Sequence, residues 1–463
     1  MDEKEYKQII EDQKRQIEIL RSRVFVYEQD VAHLEKELEH ALNEFGRVNA
    51  ELVCVYQSKR WKLTEPLSKI KQSVKKTLPD EPAEKPDMPA VRLDPGKKNV
   101  LVIDRGVPRP DRDAGSRATL KYTQLLMELG YNVVFMGNDF LAPEPYATQL
   151  RSLGAEVLHG DYYKYQWKQW ILENAHALYA AVIHRPSVAH RFLYFIKENT
   201  DAKVVYFGHD LHFLRELRAA DEGGANDAAM QVQTSKAAER AVMQSADRVV
   251  MFSDAEREII KKEFGVDSAV VPLFFYDRIP QRAASYEETS GLLFVGGFSH
   301  APNVDGAIWF VQQIFPLIQK RIPGIKVHLV GANPPEEVLA LSGENVNVTG
   351  FVTEEVLQNY YKTCRVCVVP LRYGAGVKGK TVEAMYYGLP LVSTSVGVEG
   401  MESIQKVVSP QDAPEAFANE TLRLYNDEEQ WKQASAGCKK YLEEYASHDI
   451  AKKKLIEIMD KVE

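Results

Sequence analysis

The stretch PLRYGAGVKGKTVEAMYYGLP, residues 370–390, decides how this chain reads. A short apolar run, VCVVPL (366–371), feeds it and has the composition of a buried strand. Gly374, Gly376 and Gly379 then mark a tight turn, and a helical pattern runs from about Gly379–Thr381 to Tyr387. Glycine lets backbone approach a ligand closely and adopt φ values that other residues avoid. A helix starting there directs free N–H groups and the positive end of its dipole at the turn, which suits a phosphate. Lys378 and Lys380 bring two positive charges to the same place, so a diphosphate is the natural guest. Glu383, one turn into the helix, is placed to accept hydrogen bonds from ribose hydroxyls. The alternative is a plain helix start with incidental surface lysines; it leaves the convergence of glycines, lysines and glutamate on one turn unexplained.

Outward from this turn, short β-rich runs alternate with helical patterns. The first series is NVLVID (99–104), NVVFMG (132–137), AEVLHG (155–160), AAVIH (180–184), KVVYFG (203–208), RVVMFS (248–253) and AVVPL (269–273). The series restarts with GLLFVGG (291–297), KVHLVG (326–331), NVNVTGF (345–351), VCVVPL (366–371) and LPLVSTS (389–395). Buried strands alternating with helices predict α/β architecture, with parallel sheets covered on both faces. Two series predict two doubly wound, Rossmann-like domains, 99–287 and 288–410, facing across a cleft. Residues 411–463 read as helices packing back on the body. In such sheets ligands sit beyond the carboxyl ends of strands, where the strand order reverses.

The first 98 residues differ. With Ile10 at position a, Ile17, Val24, Val31, Leu38, Phe45 and Leu52 follow at steps of seven, and Leu20, Tyr27, Leu34, Ala41, Val48 and Val55 fill most d positions after Gln13. This predicts a coiled coil over 1–58, a rod of roughly 75 Å, and a homo-oligomer. The alternative, a single long surface helix, leaves an exposed apolar seam. Residues 59–78 carry seven Lys/Arg against one Glu, with Leu67, Ile70, Val74 and Leu78 at helical spacing and Trp61 upstream. That is either a basic amphipathic helix for an anionic membrane surface or a solvated helix ending the coil. Five prolines in 79–98 read as a stiff linker.

Composition bounds the rest. The 463 residues are 45% hydrophobic and 27% charged, with net charge −8. Cores can form, and a globally basic nucleic-acid binder is excluded. Cys54, Cys364, Cys367 and Cys438 are too few and scattered for a disulfide framework and suit a reducing cytoplasm. Cys364 and Cys367 have redox spacing but run into a strand and lack a second pair for zinc. The charged start, MDEKEYKQIIEDQKRQ, does not read as a signal peptide, and no apolar run approaches the roughly 20 residues of a membrane span.

The 370–390 segment resembles the donor-site motif of retaining, family-4-like glycosyltransferases of the GT-B fold, with EAMYYGLPLVST (383–394) matching their glutamate helix, Gly-x-Pro and strand. FVGGFSHAPNVDGAIWFVQQIFPLI (294–318), VHLVGANPP (327–335), VTGFV (348–352) and VLVIDRGVPRPDRDAGSRATLKYTQLLMELGYNVVF (100–135) fit the same family, so the resemblance covers roughly 99–410. It is nearest to bacterial enzymes that build surface polysaccharides, O-antigen among them. It implies that Lys378, Gly379 and Lys380 contact the donor diphosphate and that Glu383 holds the ribose. It implies that Gly297, Phe298, Gly374, Ala375, Gly376 and Val377 form the donor-sugar loops, and that Phe351 and Val352 pack the base. Asp113, Gly115 and Ser116 match the acceptor-side loop, and His209, in YFGHDLH (206–212), the histidine facing the donor sugar. Two departures stand out. Ala375 replaces a glutamate eight residues before Glu383, and GGFSHAPN (296–303) carries no Arg or Lys.

The expected function is transfer of a sugar from a nucleoside diphosphate sugar to a growing polysaccharide or lipid-linked glycan, with retention. No cofactor and no essential metal are expected, since the resemblance requires none and no histidine/carboxylate cluster at ligand spacing reads from the sequence. The expected location is cytoplasmic, on the inner face of the membrane. A scaffold with an inactive body, kept open by Ala375, and a sugar-nucleotide 2-epimerase are the competing readings. Asp113 and Ser116 also suit a plain helix cap, and His184 in VIHRP reads as structural or cleft-lining. Deleting residues 1–56 is predicted to lower the oligomeric state measured by light scattering while leaving the fold intact; an unchanged mass would defeat the coiled coil.

Overall fold

The computed structural model describes residues 91–223 and 228–460, so the coiled coil over 1–58 and the basic segment 59–78 lie outside the described residues. Leu93–Glu463 pack as one compact unit. Its first lobe holds β1 (Asn99–Asp104), β2 (Asn132–Gly137), β3 (Glu156–Leu158), β4 (Leu178–His184), β5 (Lys203–Gly208), β6 (Arg248–Met251) and β7 (Ala269–Val270). Its second lobe holds β8 (Leu292–Val295), β9 (Val327–Val330), β10 (Val346–Gly350), β11 (Val366–Val369) and β12 (Leu391–Ser393). Each expected run thus contains a strand. β1, β2 and β5 coincide with their runs, β4 begins two residues earlier, and the other strands are shorter; β7 stops before Pro272, which has no N–H to give the ladder.

All pairings are parallel. The strand orders are β3-β2-β1-β4-β5-β6-β7 and β10-β9-β8-β11-β12. Each order reverses once, between β1 and β4 and between β8 and β11. Parallel sheets demand cover on both faces, and the central strands comply: Val100, Leu101, Val102 and Ile103 are fully buried, as are Val366, Cys367, Val368 and Val369. The loops leaving the two reversal points therefore begin at Asp104 and His184 in one lobe, and at Gly296 and Pro370 in the other.

Three helices close the chain, Pro414–Asn426, Glu428–Tyr445 and His448–Asp460. The second packs beneath the helix Gly379–Tyr386, where Ser435 Oγ donates to Gly388 O at 2.6 Å. The chain then recrosses to the first lobe. Tyr276 N donates to Ala446 O and His448 N to Tyr276 O, while His448 and Lys452 reach Glu128 at 2.7 and 2.6 Å.

Arg282 pins the segment joining the lobes. Its guanidinium donates to the carbonyls of Tyr361 (3.0 Å), Lys362 (3.0 Å) and Cys364 (2.7 Å) at the C-terminal end of the helix Glu354–Thr363, and of Tyr387 (3.2 Å) at the end of the helix Gly379–Tyr386. Charged donors contribute roughly 1.5–3 kcal/mol per hydrogen bond, with losses that do not add. Arg282→Leu is therefore predicted to destabilise the body by about 2–4 kcal/mol in urea melts; an unchanged midpoint would mean the carbonyls find water instead.

Candidate active site

The glycine-rich turn after β11 faces the first lobe directly. Gly374 and Gly376 have φ of 139° and 70°, which explains their identity, and Gly376 lies where a Cβ would be 3.1 Å from Asp210 Cβ and 3.3 Å from His209 O. A Cβ on Gly379 would meet Ala114 Cβ at 2.9 Å and Phe274 at 3.2 Å. Glycine here permits backbone-to-backbone approach of the lobes, beside any approach to a ligand.

Neither lysine points into bulk solvent. Lys378 precedes the helix Gly379–Tyr386, and its side chain is only 10% exposed. Its Nζ donates to Ala375 O at 3.1 Å and to Gly376 O, with Glu399 Oε2 at 4.0 Å. Lys380 Nζ donates to Asn303 Oδ1 at 2.5 Å and sits 4.9 Å over the Phe294 ring. A Cβ on Gly296 would lie 2.8 Å from Lys380 Nζ, so this ammonium occupies the loop after β8 that has no cation of its own. Burial lowers both pKa values, that of Lys380 to about 7. The two loops at the reversal point of the second sheet thus share one electropositive spot.

Glu383 is not free. It pairs with Arg117 of the first lobe and accepts from Tyr361 OH at 3.2 Å, and burial raises its pKa. Arg117 also reaches Glu354 Oε2 at 3.7 Å. A second bridge joins Arg218 to Glu399 at 2.7 and 2.6 Å, with Arg218 also donating to Gly374 O. A third places Arg112 4.7 Å over the ring of Phe351, which is 52% exposed. Val352 is half-buried beside it.

In the first lobe, Asp113 caps the helix Ala114–Glu128, accepting from Ser116 N and Oγ at 2.8 Å each. The capping role weighed from sequence is real, yet the cap also faces the cleft: Arg185 Nη2 lies 3.7 Å from Asp113, and a Cβ on Gly115 would meet Arg185 and His209. Asp104, at the end of β1, accepts from Arg185 Nε (2.7 Å), Thr119 Oγ1 (2.8 Å) and Arg105 N (2.6 Å). Burial pushes its carboxyl up, but Arg185 and the two imidazoles hold it at about 2. His184 and His209 contact each other, and burial depresses both, His184 to about 4.

Among the described residues, one group has metal-ligand geometry: Asp104, His184 and His209, with ligating atoms within 4.8 Å of each other. Asp104 is already bound to a guanidinium and the two imidazoles to each other, which fits a hydrogen-bonded network better than a cation site.

Two expected site residues play different parts. Phe298 is core, 4% exposed and stacked on Phe294, so only its backbone belongs to the loop beside exposed Gly297. Val377 is half-buried and packs against the apolar core. Sequence reasoning missed Asp104, Arg117, Arg185, Arg218, Asn303 and Glu399. Asp104 and Arg185 carried a signal, the first closing β1 and the second directly following β4. Arg117, Arg218 and Glu399 carried none, because their partners lie on the opposite lobe.

Residues 289–427 match the family model described as Glycosyl transferases group 1. A protein of Klebsiella pneumoniae, described as an uncharacterized 44.6 kDa protein in the cps region, is 35% identical over 116 residues, which are 24% of this chain and 30% of that protein. The chain thus spans under a third of that curated relative's length. Among solved structures, sucrose-phosphate synthase of Thermosynechococcus elongatus superposes with TM-score 0.58 at 16% identity, covering 79% of this chain and 99% of that one. TarM of S. aureus, in a complex containing fondaparinux, alpha-GlcNAc-glycerol and UDP, does so with TM-score 0.58 at 10% identity, covering 78% and 100%. The fold is therefore GT-B, and its second lobe is a glycosyl transferases group 1 domain. Among the described residues no helix is long and apolar enough to cross a membrane.

Combining Lys378→Ala with Lys380→Ala should weaken UDP binding by about 100-fold or more in calorimetry, taking roughly 1.5–3 kcal/mol for each charged donor. With Lys380 near pH 7, wild-type affinity should fall as pH rises from 6 to 9, because only the protonated amine attracts the anion. Lys380→Met should flatten that dependence. Wild-type affinity in the double variant would reject the diphosphate assignment.

Proposed function

We propose that this chain transfers a sugar from a nucleoside diphosphate sugar to a polysaccharide or lipid-linked glycan acceptor, with retention and without an essential metal. The observation that carries this reading is the pair of buried ammonium groups at the reversal point of the second sheet, facing the first lobe. The group 1 domain and the cps-region relative support the class of reaction and its setting.

The nucleotide end of the donor belongs to the second lobe, with Glu383 at the ribose, Phe351 and Val352 at the base, and Lys378, Lys380 and the helix N-terminus at the diphosphate. As the bond between the anomeric carbon and the phosphate oxygen breaks, its electron pair moves onto that oxygen. Fixed cations in a water-poor site stabilise this charge without reorganising. The acceptor hydroxyl, brought from the first-lobe side at Asp113, Gly115 and Ser116, attacks from the face the phosphate leaves and passes its proton to the departing phosphate. No protein nucleophile is needed, and holding both substrates in one cleft supplies proximity. Residues 1–58 would join copies of the chain, and residues 59–78 would lie on an anionic membrane near a lipid-linked acceptor.

The test is to incubate the full chain with UDP-, GDP- and ADP-linked sugars, with and without glycan acceptors, and to follow nucleotide release, product growth and the anomeric proton by NMR. Acceptor-dependent release with retained configuration, unaffected by a chelator, is the expected result. Interconversion of the sugar nucleotide without transfer would make the chain an epimerase, and silence across the panel would make it a scaffold.

A further inference from the structure

His184 closes β4 and His209 follows β5, and the resemblance turns only the second toward the donor sugar. His184 Nδ1 lies 3.0 Å from His209 Nε2, with ring centroids 5.3 Å apart at 65°. A contact this short requires one proton between the two nitrogens. Burial keeps both rings neutral near pH 7, so one imidazole N–H donates to the lone pair of the other. Which ring donates determines what His209 offers at its other nitrogen.

That nitrogen, Nδ1, is buried and has no partner in the protein. It lies 2.9 Å from the point where a Cβ on Gly115 would sit, and Arg185 Nη2 lies 2.7 Å from the same point. Asp113 Oδ1, 3.2 Å from it, is taken up by Ser116 N and the Arg185 guanidinium. Of the charges facing His209, Arg185 acts most strongly, and a cation beside Nδ1 favours a lone pair there over an N–H. Arg185 is held at φ 68°, a region that branched and long side chains avoid, by the Asp104 pair and by its own N–H to Phe207 O. Such strain persists where surrounding structure enforces it and clusters at working sites.

We propose that His184 is a positioning residue: it accepts the proton of His209 Nε2–H and so presents His209 Nδ1, in the notch beside Gly115, as a hydrogen-bond acceptor for a hydroxyl of the transferred sugar. The proposal rests on the transfer reading above for its ligand, but not for the state of the two rings.

The experiment uses the full chain labelled with ¹⁵N-histidine and long-range ring ¹H–¹⁵N correlation spectra near neutral pH. Wild type should show His209 with its proton on Nε2 and a bare Nδ1. His184→Phe and His184→Leu should abolish that single tautomer, and His184→Gln, whose carbonyl can accept, should restore it. In parallel, kcat for nucleotide release should drop about tenfold or more in the Phe and Leu variants, recover in Gln, and leave KM and UDP affinity within about twofold, since a neutral hydrogen bond lost at the reacting sugar costs on that order. A proton on His209 Nδ1 in wild type, an unchanged His209 spectrum in both Phe and Leu variants, or an unchanged kcat in a variant that lost the tautomer would overturn the proposal. If wild type turns over no sugar nucleotide, the transfer reading fails separately and the ring spectra still decide the tautomer.

Discussion

Two ammonium groups held out of water dominate this molecule. Removing a cation from water costs several kcal/mol unless partners replace the solvent. Lys378 receives two backbone carbonyls and a carboxylate at 4.0 Å, but that carboxylate is already neutralised by Arg218. Lys380 receives one amide oxygen and the face of Phe294. The compensation is polar yet short of a full counter-charge, so the spot keeps an appetite for an anion. Most of the surrounding architecture serves to hold it: the glycines that bring the turn close, the helix that starts there, and the arginines that bring the other lobe against it.

The fold was legible because it is written in contiguous runs. Parallel strands buried on both faces read as uninterrupted β-branched segments, and each of the twelve contains its strand. Their ends were less legible, since a strand stops where its ladder runs out of donors, as before Pro272, not where hydrophobicity does. The glycine-rich turn was legible for the same reason: Gly374, Gly376, Lys378, Gly379, Lys380 and Glu383 lie within ten residues.

What stayed hidden depends on pairs distant in the chain. Nothing in the sequence around Glu383 announces that a guanidinium 266 residues earlier engages it. Glu399 reads as an ordinary loop acid until Arg218 is seen beside it. Phe298 looked like a loop residue following two glycines, yet stacking on Phe294 draws it into the core. Asp113 was legible as either cap or cleft residue; it is both, because the helix it caps begins at the cleft wall.

The return of the chain through Ala446 and His448 has a mechanical meaning. The outgoing segment at Tyr276 and the returning one at Ala446 are hydrogen-bonded side by side, so the lobes are joined by a ribbon two strands wide along one margin. A ribbon bends readily across its thin direction and resists torsion and shear. Any displacement of one lobe against the other must therefore strain both crossings at once, at the hydrogen bonds that Tyr276 makes with Ala446 and His448.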